Sequence, residues 1–402
     1  MRTPVDDVSP GFSAPTADTM GRNATILFLS ALTIMAGATI SPALPAIEAH
    51  FSASPYAAIL TRLTLTVPAL FIALFAPLAG ALADRYGRKP VAIASVLLYG
   101  LSGMSGIFAD TLTTLLIGRA VLGIAVAGVM TVATALIGDY FFGRARDRFM
   151  GRQAAFVGFG GLFFLTGGGF LAGLHWRAPF LIYAIAFALL PAILAFISET
   201  RRNTTSDTGA GRTVGPIMSL PLMGLLAAAI LNSVVFYLMP TQLPFHLRAH
   251  GVEAPMFAGL SLGAMTLASA VLSFVYGRVR GRLGVSGIFA LGFAGMAGGM
   301  GLVAAAESFI AVLPGAVLVG CGMGLIMPNL GAGAMALAAD NNRGRIAGIL
   351  TACIFLGQFA SPLISQPLTA GSGYAFTFTI GAATALAAAL LALVIAVTWR
   401  SP

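Results

Sequence analysis

Residues 80–89 read Gly-Ala-Leu-Ala-Asp-Arg-Tyr-Gly-Arg-Lys, a tight charged turn set between two long apolar runs at 56–82 and 91–109. A spanning helix needs about 20 predominantly apolar residues. Each flanking run therefore has the length to cross a bilayer, with the decapeptide joining two antiparallel spans on one face. Working outward, ten further runs of this kind lie near 24–47, 112–138, 151–173, 178–198, 219–245, 255–276, 285–305, 310–336, 346–368 and 375–398. The expected architecture is all-α and integral to the membrane, with twelve transmembrane helices.

Composition excludes the alternatives to a membrane protein. Of 402 residues only 9% are charged and 58% are hydrophobic, and mean hydropathy is +0.94. A soluble domain carries about 25% charged residues to face water, so a soluble enzyme or nucleic-acid binder is ruled out. Cys321 and Cys353 sit in apolar runs and imply neither a disulfide framework nor a metal cluster. The four histidines, His50, His175, His246 and His250, have no metal-ligand spacing. No cofactor is expected. Residues 1–22 carry Asp6 and Asp7 where a signal peptide would be basic, and read as a disordered cytoplasmic tail.

The net charge of +9 has a topological cause. Loops rich in Lys and Arg stay in the cytoplasm. Of the 22 basic residues, 18 fall in the tails and in the turns after runs 2, 4, 6, 8 and 10; the exceptions are Arg62, Arg119, Arg177 and Arg248. Both termini are expected to be cytoplasmic. The one long connection, 199–218, is polar and reads as a linker between a half at 23–198 and a half at 219–402.

Shifting the chain by 197 residues aligns Gly80–Gly87 with Gly277–Gly284, Gly118 and Gly123 with Gly315 and Gly320, Met130 with Met327, and Gly160 with Gly357. Two pseudo-symmetric six-helix halves in one orientation are implied, as in transporters whose halves are related by an axis along the membrane normal.

These residues also carry a resemblance. Gly80-Ala-Leu-Ala-Asp84-Arg85-Tyr-Gly87-Arg88-Lys89 resembles the loop 2–3 signature of the major facilitator superfamily, and Leu115-Leu-Ile-Gly-Arg119-Ala-Val-Leu-Gly123 resembles the span 4 motif of its proton-coupled members. Ile40-Ser-Pro-Ala-Leu-Pro45 and Gly357-Gln-Phe-Ala-Ser-Pro362 are similar to the twelve-helix drug:proton antiporter branch. The resemblance implies a transporter of the bacterial inner membrane that exports small organic compounds by alternating access, driven by protons and without an enzymatic step. The lipid bilayer and a small-molecule substrate are the expected partners, and a monomer suffices because the halves form the pathway between them.

The pattern also departs from that branch. Where the span 5 signature has Gly-Pro between its glycines Gly160 and Gly168-Gly169, this chain has Phe164-Leu165, so the span lacks the proline that would bend it. Pro362 keeps the corresponding proline in span 11. No Asp or Glu sits mid-span: Glu48, Asp110, Glu253 and Glu307 lie at outer edges. Protons would then have to use Asp84, Asp139 or Glu48, or travel with the substrate. The missing Gly-Pro of span 5 puts strict antiport in question, and a cavity holding Arg119 and Arg62 without a carboxylate favours neutral or anionic substrates over permanent cations. The alternative is a dedicated exporter or facilitator of one anionic metabolite, such as a siderophore or organic acid. No selectivity-filter pattern suggests a channel, and no loop is long enough for a signalling scaffold.

Arg119 is the leading candidate for substrate binding or coupling, since a charge within a span costs at least about 2.5–3.5 kcal/mol and its repeat counterpart is Ala316. The bland alternative is an arginine satisfied by backbone carbonyls. Arg62 shares the asymmetry, with Gly259 as counterpart, but lies near an outer end where it can snorkel. Further cavity candidates are Asn232, Tyr237, Gln242, Asn329 and Gln358, with Phe236, Met35 and Met239 as adaptable apolar lining. Gly80 is expected to allow a close helix approach. Asp84, Arg85, Gly87, Arg88 and Asp139, with Lys89 and Asp147, are expected to form a charged latch that holds the outward-facing state and breaks in the other.

Overall fold

The structure is a computed structural model that describes residues 17–199, 219–339 and 342–398. Most of the expected linker and residues 1–16 of the expected tail lie outside the described residues, as does the side chain of Asp147. Among the described residues ten helices are long and apolar enough to cross a membrane. Span 1 is Thr19–His50, span 2 Ala57–Tyr86, span 3 Arg88–Phe108, span 4 Leu112–Tyr140, span 5 Gly143–Leu174, span 6 Ala178–Phe196, span 7 Leu220–Ala249 and span 10 Phe309–Leu337. The remaining two, Pro255–Ala304 and Arg343–Thr398, hold 50 and 56 residues, and each is interrupted by one glycine with non-helical backbone, Gly284 at φ 67° and Gly373 at φ 84°. Each is long enough for two spans, which makes them spans 8 and 9 and spans 11 and 12.

Two boundaries differ from the sequence reading. Residues 17–22 of the expected disordered tail belong to the helix Ala17–Ala38. They are held there because Gly21 packs against the Phe196 ring and the Arg22 guanidinium lies 4.5 Å from the Tyr140 ring centre. Span 5 begins at Gly143, so the charged stretch 143–150 is helix rather than turn.

The turn at 80–89 is made by Gly87, which sits at φ 99°, ψ 161° between two helices. Its counterpart Gly284 takes φ 67°, ψ −174° at the turn between spans 8 and 9. Only glycine adopts such a conformation without cost, so the repeat is present in the backbone as well as in the letters. Packing repeats too. A Cβ on Gly123 would stand 2.8 Å from Cα of Pro68 in span 2, and one on Gly320 would stand 3.0 Å from Cα of Met265 in span 8, the residue 197 positions on. Small residues let helix backbones approach where lipid offers no competing hydrophobic drive.

The buried apolar residues form two cores. One gathers Ile26 to Ile197 and the other Leu222 to Ala389, and each borrows one residue: Phe245 enters the first and Leu165 the second. Span 2 packs on the helix Arg343–Thr398 in one seam between the halves. Another follows spans 5 and 8 in antiparallel register, Gly169 against Met256, Leu165 against Gly259, Gly161 against Thr266 and Gly158 against Ala270. Span 5 is an unbroken helix, as expected from Phe164-Leu165, and Leu165 occupies the signature's proline position as part of this seam. Lipid-facing positions of the same helix carry exposed Phe159, Phe163 and Phe170.

Candidate functional site

Span 1 breaks in its middle. Its helix stops at Ala38, Ser41–Ala43 form a single 3-10 turn, and Leu44–His50 resume the helix. Pro42 and Pro45 explain the break, since each lacks an N–H. A helix end leaves its last four carbonyls without helical partners, and here a buried cation serves the one of Ala36. Arg119 of span 4, 1% exposed, donates from Nη2 to the Ala36 carbonyl, from Nε to the Thr64 carbonyl of span 2 (2.8 Å), and from Nη1 to the Tyr183 hydroxyl of span 6 (2.8 Å). Tyr183 in turn donates to the Ala36 carbonyl at 3.1 Å, while Tyr99 packs against Tyr183 and donates to the Leu32 carbonyl at 2.8 Å. A positive charge also suits the negative end of the helix dipole. Arg119 thus ties spans 1, 2, 4 and 6 together at the break, and no carboxylate bonds it among the described residues. The structure gives it the carbonyl partners of the bland alternative and no open face toward a cavity. Tyr237 of span 7 reaches the same place from the other half: a Cβ on Gly37 would lie 3.2 Å from its hydroxyl.

At one end of the molecule the halves are bonded. Arg62, 1% exposed, donates from Nη1 to Glu48 Oε2 (2.6 Å) and to the Ala58 carbonyl (2.7 Å), and from Nε to Gln242 Oε1 of span 7 (3.0 Å). Gln242 passes the chain on, donating to Ser365 Oγ of span 11 at 2.9 Å. The guanidinium lies 3.8 Å from the Phe245 ring centre. Beside it, Ser41 donates to the Pro240 carbonyl and Arg248 to the Pro45 carbonyl at 3.0 Å. Among the described residues, side-chain hydrogen bonds that join the halves at this end include Arg62–Gln242, Ser41–Pro240 and Arg248–Pro45.

At the other end, the turn at 80–89 forms a charged cluster inside the first half. Arg88 pairs with Asp84 at 2.7 Å and with Asp139 of span 4 at 3.4 Å. Sequence reasoning missed a member. The Glu199 carboxylate accepts the backbone N–H groups of Arg88 (2.6 Å) and Lys89 (3.2 Å), capping span 3, and fills the space a Cβ on Gly87 would need. Exposed helix N-termini favour anions for this reason, and an acid placed 111 residues from the turn gives no local signal in the sequence. Arg85 is exposed beside Tyr86. A Cβ on Gly80 would meet nothing nearer than Thr131 Cγ2 at 3.8 Å, an ordinary contact, so the close approach expected there is absent from this conformation. The tight approaches fall instead at Gly123, at Gly168 against Thr39 of the span 1 break, and at Gly169; Gly160 has only an ordinary contact with Ala31.

The remaining candidates scatter. Asn329 joins span 10 to the turn after Gly284, donating to the Val285 carbonyl (2.9 Å) and accepting from Tyr276 (3.2 Å). That is a helix-joining role at the far end from Gln242. Asn232 is buried, with its amide nitrogen 3.4 Å from Met323 Sδ and its oxygen without a partner among the described residues. Met35 and Met239 are fully buried in separate cores and line no open space here. Gln358 and Phe236 are half-buried, and Pro362 is buried in span 11 next to Ser361, which donates to the Val234 carbonyl at 2.8 Å.

The sequence pattern of the Major Facilitator Superfamily matches residues 26–284 and 254–402. The chain belongs to the Major Facilitator Superfamily. It is 31% identical to the class G tetracycline resistance protein of Vibrio anguillarum, covering 89% of this chain and 93% of that one. It is likewise 31% identical to the class C tetracycline resistance protein of Escherichia coli, covering 87% and 90%. In fold it is similar to a D-xylose–proton symporter, with TM-score 0.77 over 96% of this chain and 98% of that one at 16% identity. As a superfamily member it is a membrane transporter and not an enzyme. Its bacterial drug-resistance relatives accord with the inner membrane and with drug export.

Proposed function

We propose that this transporter exports neutral or anionic drug-like compounds from the cytoplasm in exchange for protons, by rocking of its two halves, with both termini cytoplasmic. The observation that carries the rocking mechanism is the bonding of the halves at one end. Glu48, Arg62, Gln242 and Ser365 join them there, while the Arg88–Asp84 and Arg88–Asp139 pairs at the opposite end lie within a single half. With the arginine-rich turns inside, the bonded end is the outer one and this conformation faces the cytoplasm. The Arg88–Asp84 and Arg88–Asp139 pairs thus stand formed in a state other than the outward-facing one expected of the latch. Alternating access then requires the outer bonds to break as an inner closure forms, two discrete arrangements of one interface.

The charge of the substrate is inferred from the midplane. Arg119 and Tyr237 converge on Ala36 and Gly37 from the two halves, and no carboxylate bonds Arg119 among the described residues. The Arg119 and Tyr183 donors are buried in this conformation. Once the halves move and uncover them, a compound with a carbonyl or carboxylate oxygen can compete for them, whereas a permanent cation finds no carboxylate bonded there among the described residues. The alternative of a facilitator for one anionic metabolite keeps the same site and drops the proton.

Reconstitution into proteoliposomes with an interior pH dye tests both. Compound-dependent proton movement opposite to the substrate supports exchange. Flux without a proton signal removes it, and preferential transport of organic cations removes the assignment of the midplane.

A further inference from the structure

The two equivalent turns of the repeat differ in charge balance. In the first half Asp84 and Asp139 pair with Arg88, and Glu199 caps span 3. Moved on by 197 residues, these three acids become Gly281, Ala336 and Ala396, while Ala81, Ala83 and Arg85 become Arg278, Arg280 and Arg282. A basic turn is enough to orient the spans; the loss of every matching acid is a separate change. Among the described residues no carboxylate bonds Arg278, Arg280 or Arg282. The cap differs in the same way. The Glu199 carboxylate fills the space over Gly87, whereas a Cβ on Gly284 would meet nothing within 4 Å. Span 9 therefore begins, with the positive end of its dipole, next to three arginines and no described acid.

Side-chain directions sort these arginines. Arg280 is half-buried and donates to the Tyr276 hydroxyl at 2.9 Å, which is bonded in turn to Asn329. Arg278 and Arg282 are exposed. Together with Val271 and Phe274 they follow steps of three, four and four residues, the spacing of one helix face. Val271 is 52% and Phe274 55% exposed. This face of span 8 thus runs from exposed apolar side chains within the span to two guanidiniums at its end. It lies beside the seam with span 5, where a Cβ on Gly151 would stand 3.9 Å from Phe274 Cε1. Exposed Arg144, Arg146 and Arg148 precede Gly151, with Asp147 among them in the sequence.

We propose that this face binds one anionic phospholipid, its phosphate held by Arg278 and Arg282 and an acyl chain lying along Phe274 and Val271. Residues four apart on a helix are neighbours, and the guanidinium fork matches phosphate oxygens. Basic clusters at the cytoplasmic end of a span attract anionic lipid in this way. A zwitterionic lipid brings an ammonium that the arginines repel and that no described carboxylate of the turn receives. A soluble phosphate reaches the arginines but covers neither Phe274 nor Val271, so the lipid is the ligand that uses the whole face. The inference rests on the proposed orientation only for its leaflet, the cytoplasmic one; the binding itself requires neither sidedness nor transport.

Delipidated transporter in detergent is titrated with phosphatidylglycerol, phosphatidylcholine and glycerol 3-phosphate, and bound adducts are counted by native mass spectrometry. Phosphatidylglycerol should bind at least about tenfold more tightly than either of the others. Arg278→Gln and Arg282→Gln should each weaken it about fivefold, the factor that corresponds to roughly 1 kcal/mol per basic residue, and leave phosphatidylcholine unchanged. Arg85→Gln removes the same charge at the counterpart of Arg282 and should change neither lipid. Equal binding of the two lipids overturns the proposal, as does phosphatidylglycerol binding that both Arg278→Gln and Arg282→Gln leave intact. An equal loss in Arg85→Gln replaces the site by a general field and also overturns it. Glycerol 3-phosphate bound as tightly as phosphatidylglycerol assigns the arginines to a soluble phosphate and overturns the lipid. All three variants change exposed side chains, and a circular dichroism melt of each verifies folding. Each of these outcomes is independent of the proteoliposome assay for proton exchange.

Discussion

Adding one methyl group to Gly123, Gly320 or Gly80 separates what this fold needs from what its motif suggests. A Cβ on Gly123 would stand 2.5 Å from the Pro68 carbonyl oxygen and 2.8 Å from both Pro68 Cα and Phe71 Cβ. One on Gly320 would stand 2.9 Å from the Met265 carbonyl carbon and 3.0 Å from Met265 Cα. Two of the three atoms at Gly123, and both at Gly320, are backbone, so no side chain can swing away and a whole helix must shift. Overpacking of this kind costs about 1–3 kcal/mol. At an unfolding entropy of about 2.1 cal/mol/K per residue, a chain of 402 residues loses about 1–4 °C in Tm for each substitution. Gly80→Ala meets only a methyl carbon at 3.8 Å and should leave Tm unchanged. Circular dichroism melts in one detergent, at one scan rate because such unfolding is irreversible, decide the matter. A fall for Gly80→Ala equal to that for Gly123→Ala would refute the packing argument. A fall for Gly123→Ala with none for Gly320→Ala would refute the equivalence of the two halves. If Gly80→Ala melts normally but does not transport, its close contact belongs to the other global state.

Three further substitutions test the site and the seam. Arg119→Lys keeps the charge, but one ammonium cannot reproduce the guanidinium's planar reach to Ala36, Thr64 and Tyr183. Transport should fall at least about tenfold, the effect of about 1.4 kcal/mol, and wild-type flux would remove Arg119 from the mechanism. Gly87→Ala combines a backbone at φ 99° with displacement of the Glu199 carboxylate; a loss of about 1–3 kcal/mol is expected, and an unchanged melt would show that the cap contributes nothing. Leu165→Pro restores the residue of the antiporter signature but removes a buried side chain from the second core and one helix bond. It should destabilise by about 3 kcal/mol or more, and a more stable variant would contradict the placement of Leu165 in the seam.

Much of this was legible in the letters because a bilayer makes local demands. Each span must satisfy its backbone internally, so length and apolarity alone mark the helices, and 197-residue periodicity exposed the turn glycines Gly87 and Gly284 ahead of their backbone angles. The Arg88–Asp139 pair could be anticipated for the same reason, both residues lying at span ends on one face. Partners were another matter. Arg119 stood out as a buried charge, yet the sequence held no sign that its acceptors would be the Ala36 and Thr64 carbonyls, since every residue carries a carbonyl.

The same limit applies to Arg62, Gln242 and Ser365, which belong to three spans and two halves, and to Glu199, which reaches a helix end 111 residues away. Sequence by itself determined the class, the number of spans, the repeat and the family motifs, because those follow from composition and spacing along one chain. Tertiary structure alone decided which end of the molecule is bonded and which glycines carry the close contacts. It also turned Asn329 from a cavity candidate into a brace for the turn after Gly284. Hydrogen bonds and steric contacts act over about 3–4 Å between atoms, and the fold sets those separations between residues far apart in the chain.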